Sequence, residues 1–74
     1  MHIVIKGTKT IEEFKKMQKV MEQKATECCN SHKEAVEDWK EGEISKVWID
    51  GNGNLCIEYE SGNWWHYNEA GEWF

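Results

Sequence analysis

Hydrophobic and polar positions change period twice along this chain. His2-Ile3-Val4-Ile5-Lys6 alternates, with Ile3 and Ile5 on one face and Val4 on the other, until Gly7 breaks the pattern; this predicts a short first strand over residues 2–6. Thr10-Ile11-Glu12-Glu13 then has the form of a capping box, in which a threonine hydroxyl and a glutamate carboxylate satisfy each other's orphan backbone amides, so a helix should begin near Ile11. From there to Glu41 the chain has neither Pro nor Gly. At about 100° per residue, Phe14, Met17, Met21, Ala25, Cys28, His32, Ala35 and Trp39 fall within roughly 40° of one line. That unslipped phase predicts one continuous helix. Asn30-Ser31 followed by Glu34 supplies the alternative, a second cap that breaks the helix at residues 29–31.

After Gly42 the period becomes two, through Ile44-Ser45-Lys46-Val47-Trp48-Ile49, Leu55-Cys56-Ile57-Glu58-Tyr59-Glu60, Trp64-Trp65-His66-Tyr67 and Glu72-Trp73-Phe74. The intervening Asp50-Gly51-Asn52-Gly53-Asn54, Ser61-Gly62-Asn63 and Glu69-Ala70-Gly71 contain residues that tolerate tight turns, so neighbouring strands should pair as hairpins. The expected fold is α+β, a single domain over residues 1–74. One long α-helix packs on a four- to five-stranded antiparallel β-sheet in the order β-α-β-β-β-β.

The two layers differ in length. About 30 helical residues extend roughly 45 Å, whereas strands of five or six residues make a sheet only about 20 Å on an edge. Part of the apolar stripe should therefore overhang the sheet and be buried by another chain. A homodimer is the first expectation, with Met21, Cys28, His32 and Ala35 at its interface. Cys28, His32 and Ala35 stand where a strong coiled coil prefers Leu and Ile, which implies a modest contact.

A chain of 74 residues buries only about 60% of the surface it exposes when unfolded, so it has one thin core. Five Trp, two Tyr and two Phe should make up most of it. Three cysteines are an odd number, and no signal peptide or bilayer-length apolar run accompanies them, which places the protein in a reducing cytoplasm. The net charge of −5 is unevenly spread. Residues 1–24 hold six Lys against three Glu, or +3, and residues 25–74 hold three Lys against eleven Asp and Glu, or −8. The acidic part repels phosphate, so direct nucleic-acid binding is disfavoured and a basic protein surface is the natural partner.

Candidate chemistry is sparse. Cys28 and His32 are spaced as metal ligands can be on one helix face, with Cys56 or His66 as further donors, but no Cys-x-x-Cys pair exists and no metal is expected. No Gly-rich backbone donors sit beside a cysteine, so no catalytic residue and no cofactor is expected. Asp50-Gly51-Asn52-Gly53-Asn54 has its glycine one place early for a calcium loop and Ser61 where the bidentate glutamate belongs, so it is a hairpin turn. Two binding surfaces remain. Glu27, Glu34, Glu37, Asp38 and Glu41 form an acidic ridge opposite the apolar stripe, extended by Glu43, and acids near a helix C-terminus oppose its dipole. The sheet face turned away from the helix should show Trp48, or one of Trp64 and Trp65, with Glu58, Glu60 and His66, an aromatic anchor within a polar rim.

The turn-rich stretch from Asp50-Gly51-Asn52-Gly53-Asn54-Leu55 through Tyr59-Glu60-Ser61-Gly62-Asn63-Trp64-Trp65-His66-Tyr67, in a small acidic chain, resembles phage and mobile-element proteins of the anti-CRISPR inhibitor kind. The resemblance implies a phage-encoded inhibitor in the host cytoplasm. Such a protein blocks a host defence protein, for example a CRISPR effector, at a nucleic-acid or subunit-docking surface. It implies no functional residue. The alternative is a homo-oligomeric structural or regulatory module without enzymatic activity.

Overall fold

The computed structural model describes all of residues 1–74. Helix α1 spans Ile11–Ala35 and begins where extended Thr10 turns its hydroxyl to accept the Glu13 amide at 3.1 Å. The reciprocal half of the cap is displaced by one residue, because the Glu13 carboxylate accepts from the Lys9 amide at 2.9 Å. Glu12 and Glu13 also face the positive end of the helix dipole. The helix passes unbroken through Ser31 but stops short of the expected Glu41. Glu34, Glu37 and Asp38 oppose its negative end, and Val36 is extended at φ −115° and ψ 129°. Leaving the helix there lets Trp39 fold back, edge-on to Tyr59 and to His32, each with centroids 5.0 Å apart, while its indole N–H donates to the Gly42 carbonyl at 2.9 Å.

The strands are β1 (His2–Ile3), β2 (Ile44–Ile49), β3 (Leu55–Tyr59) and β4 (Trp64–Tyr67), side by side in that order. β2, β3 and β4 are joined antiparallel as expected, but β1 runs parallel to β2 through His2↔Lys46 and Ile3↔Val47, so the sheet is mixed. The cause is the intervening helix: a crossover returns the chain to the end at which it started, which is how parallel neighbours are connected. Glu72-Trp73-Phe74 does not form a further full strand. It makes one bridge, Tyr67↔Trp73, and the paired bonds between His66 and Phe74 fold it along the edge of β4. Gly42, at φ +81°, is where the chain must be glycine: a Cβ there would stand 2.8 Å from Glu60 Oε1, which accepts the Glu43 amide at 2.7 Å.

Met21, Ala25 and Cys29 from the helix meet Val47, Leu55, Ile57, Tyr59 and Tyr67 from the sheet in one buried cluster. Only 10 of 74 residues are buried, and none of them lies in residues 11–20, so the first ten residues of α1 form a thinly covered arm, projecting at its tip and resting at Met17 and Val20 beside Ile5, Ile49 and Leu55. The protein measures 42 × 22 × 18 Å, the long axis reflecting a 25-residue helix of about 37 Å on strands half that length. On the arm Ile11 is 73% exposed and Phe14, Met17 and Val20 are 41–43% exposed. The overhang lies at the start of the helix, which corrects the expected dimer interface. Met21 and His32 are covered by the chain's own sheet, Cys28 is half-buried, and only Ala35, at the opposite end, is exposed. Cys29 takes the buried place expected for Cys28. No helix is long and apolar enough to cross a membrane.

Candidate functional site

The strand alternation divides the sheet cleanly. Val47, Leu55, Ile57, Tyr59, Trp65 and Tyr67 face the helix, while the other face carries two cross-strand rows. One row is Trp48, Cys56 and His66, continued by Phe74; the other is Lys46, Glu58 and Trp64. Trp64, 49% exposed, leans on Trp48 with centroids 5.3 Å apart, and the Lys46 ammonium lies 5.3 Å from the Trp48 ring. The expected aromatic anchor is therefore Trp48 together with Trp64, and Trp65 belongs to the core side.

Asp50 reaches over the first row from the end of β2. Its Oδ1 accepts the amides of Asn52 and Asn54 at 2.8 and 2.9 Å, and these bonds, that from Asn54 foremost, hold the carboxyl down to about pKa 2 against partial burial. This leaves Oδ2 aimed at His66 Nδ1, which donates to it at 2.7 Å. Cys56 Sγ stands 3.3 Å from the same Nδ1 and 3.9 Å from Asp50 Oδ2. Burial, with Asp50 adding to it, pushes the Cys56 thiol up to about 11. His66 stacks on Phe74 at 4.9 Å and 8°. Cys, His and Asp are the members of a nucleophilic relay, but a relay runs through both ring nitrogens. Here both neighbours meet Nδ1, and the sulfur is fully buried and protonated, so the set is not arranged for attack by a thiolate.

No family model, curated protein or solved structure matches this chain. Its possible chemistry must therefore be read from the geometry alone. The ligand set drawn from the helix does not assemble: His32 sits in the core, its Nδ1 2.7 Å from Tyr67 Oη, and is walled by Trp39, Trp65 and Trp73. Cys28 remains half-buried on the helix, with its thiol pushed up by burial. Cys56 and His66 instead come together with Asp50, a residue the sequence pattern assigned only to a turn.

The acidic ridge also changes. Glu27 and Glu34 are exposed on α1, but Glu37, Asp38 and Glu41 lie beyond its end. Glu41 is occupied internally: its Oε1 accepts from Ser61 Oγ and Asn63 Nδ2, each at 2.7 Å, and these bonds lower its pKa. Glu60 is likewise engaged, capping the Glu43 amide. Glu58 is half-buried in the row between Lys46 and Trp64. Of the expected acidic contacts, Glu27, Glu34, Glu37 and Asp38 have carboxylates free for a partner, apart from an exposed 3.5 Å pair between Asp38 and Lys40.

Proposed function

We propose that this protein acts by binding another protein, as a small acidic inhibitor rather than a catalyst, and that it occupies a basic nucleic-acid- or subunit-docking surface of its target. The carrying observation is unneutralised charge. Glu27, Glu34, Glu37, Asp38, Glu43, Glu60, Glu69 and Glu72 are all exposed, yet Lys40 with Asp38 is the single ion pair between a lysine and an acid. A field of one sign speeds encounter with a basic surface and suppresses other partners. Trp48 and Trp64 supply an aromatic anchor on the sheet face turned away from the helix. The resemblance to anti-CRISPR-type inhibitors makes a CRISPR effector the first target to test.

The test is displacement of a labelled oligonucleotide from purified basic nucleic-acid-binding proteins, CRISPR effectors among them. The wild type should displace it from its target, and Glu34→Lys with Glu37→Lys and Asp38→Lys should weaken that by at least tenfold, about 1.4 kcal/mol. The triple variant should also flatten the salt dependence. Absence of displacement from every protein tested, or an unchanged affinity and salt response in the variant, rejects the reading.

A second reading is favoured by the projecting arm. The arm carries Lys15, Lys16 and Lys19 against Glu12 and Glu13, a charge of +1, and residues 25–74 carry −8, so the arm of one copy complements the body of another. In this form the protein is a homo-oligomeric module assembled through Ile11, Phe14, Met17 and Val20.

A further inference from the structure

Three donors of different chemistry converge on one point of the open sheet face. Asp50 Oδ2, Cys56 Sγ and His66 Nδ1 all lie within 4.8 Å of one another. Two of them meet the same ring nitrogen, which carries one proton and gives it to the carboxylate. The sulfur is left without a donor of its own and with only distant acceptors, Asp50 Oδ2 at 3.9 Å and the Asn54 carbonyl at 4.0 Å. Such convergence is what a cation between the three would resolve.

We propose that Asp50, Cys56 and His66 form a zinc-binding site with a fourth position open to water. A tetrahedral zinc ion, about 2.3 Å from sulfur and 2.0–2.2 Å from nitrogen and oxygen, separates sulfur from the other two donors by about 3.6 Å and nitrogen from oxygen by about 3.4 Å. The observed separations are 3.3 Å for sulfur to nitrogen, 3.9 Å for sulfur to oxygen and 2.7 Å for nitrogen to oxygen. Only the last must open appreciably, and the Asp50 and His66 side chains, being partly exposed, have room to do so.

The charges also suit the ion. Thiolate, carboxylate and neutral imidazole bring two negative charges to a dication, with no excess left in a half-buried place. On binding, the imidazole proton moves to Nε2 and the thiol proton is released, because a facing dication reverses the effect of burial and Asp50 on the sulfur. The supporting shell is present: Asn52 and Asn54 amides fix one carboxylate oxygen, the Asn54 side-chain amide reaches the other at 3.2 Å, and Phe74 fixes the imidazole plane. Cys56 is anchored on the central strand with no exposure, whereas Asp50 and His66 remain partly open, so the ion has a way in.

The experiment is a Co²⁺ titration of the reduced protein with Zn²⁺ competition. One ion per chain should produce a thiolate-to-cobalt charge-transfer band and tetrahedral visible absorption, both erased by one equivalent of Zn²⁺. Cys56→Ser should abolish the charge-transfer band, His66→Gln should weaken binding at least tenfold, and Asp50→Asn, which keeps the oxygen that accepts the turn amides, should weaken it while retaining the band. Near-ultraviolet circular dichroism reports that each variant is folded. Cys28→Ser with Cys29→Ser should leave the spectrum unchanged. A charge-transfer band that survives Cys56→Ser and is lost in the Cys28 and Cys29 variant overturns the proposal, as does a folded wild type that gives no band and retains no stoichiometric zinc after dialysis.

Discussion

Replacing His32 by Ala is expected to destabilise the protein by about 3–5 kcal/mol, combining a large-to-small change in a closed site with the loss of a buried hydrogen-bond acceptor. That is a large share of the roughly 4–11 kcal/mol a chain of this length carries. The ring is 4% exposed, stacks on Trp73 at 4.4 Å and meets Trp39, Trp65 and Tyr67 edge-on. Its Nδ1 accepts the Tyr67 hydroxyl at 2.7 Å, and Tyr67 in turn accepts from Tyr59 at 2.7 Å. Burial raises the pKa of both tyrosines, that of Tyr67 to about 12, so the two hydroxyls keep their protons. Tyr67→Phe breaks the same chain without opening the aromatic box, so it should cost less, about 1–3 kcal/mol. Urea unfolding followed by tryptophan fluorescence measures both. A His32→Ala chain within 1 kcal/mol of wild type would mean that the aromatic box tolerates its own vacancy.

The same histidine makes stability pH-dependent. Burial lowers the pKa of His32 from 6.5, against a smaller upward pull from the Glu41 carboxylate. A depressed pKa means that the unfolded chain takes up the proton first. The contribution is therefore full above about pH 6.5 and declines as pH falls below it toward the folded value. Between about pH 7.5 and pH 5.5 wild type should lose stability through this group, and His32→Phe, which keeps a ring in the box, should lose measurably less. Equal losses in the two proteins would remove His32 as the cause.

Why was so much of the helix legible in the sequence and so little of the open face? The Thr10 cap is a local matter, set by the next few residues, and the apolar line through Met21 and Ala25 is a consequence of helical period alone. The end of α1 depends on a distant event, the docking of Trp39 on Tyr59, which no local pattern contains. Met17 and Ala35 make Cys28 rather than Cys29 fit the stripe: both are exposed, lie about 60° to one side of buried His32 and turn the line away from Cys29. The parallel pairing of β1 follows from connectivity, since a helix separates it from β2. The Asp50, Cys56 and His66 cluster needed register. Cys56 and His66 stand five residues either side of Ser61, and Trp48 and Cys56 four either side of Asn52. Centring the hairpins on those turns brings Cys56 opposite His66 and Asp50 onto the same face, a conclusion residue spacing within one element does not supply.

Ile11→Glu combined with Phe14→Glu is expected to leave folding almost untouched and to weaken self-association at least tenfold. Neither residue is buried, and both project on the arm beyond the sheet, so the unfolding free energy should move by no more than about 0.5 kcal/mol. Association, by contrast, removes these apolar side chains from water and places a charge wherever they meet a partner. The strength of the wild-type contact is bounded by its size. Four apolar side chains per copy are few beside the 20–30 or so residues a side of a stable interface, so the arm alone supports a weak dimer whose orientation comes from charge. Lys15, Lys16 and Lys19 of the arm would meet the acidic surface of the second copy, and added salt should loosen the pair. Sedimentation velocity across a concentration series separates the outcomes. A wild type that stays monomeric at high concentration removes the oligomeric reading, and a double variant that dimerises as well as wild type moves the contact off the arm. Salt-sensitive association in the wild type alone would tie the projecting half of α1 to a second copy of the chain.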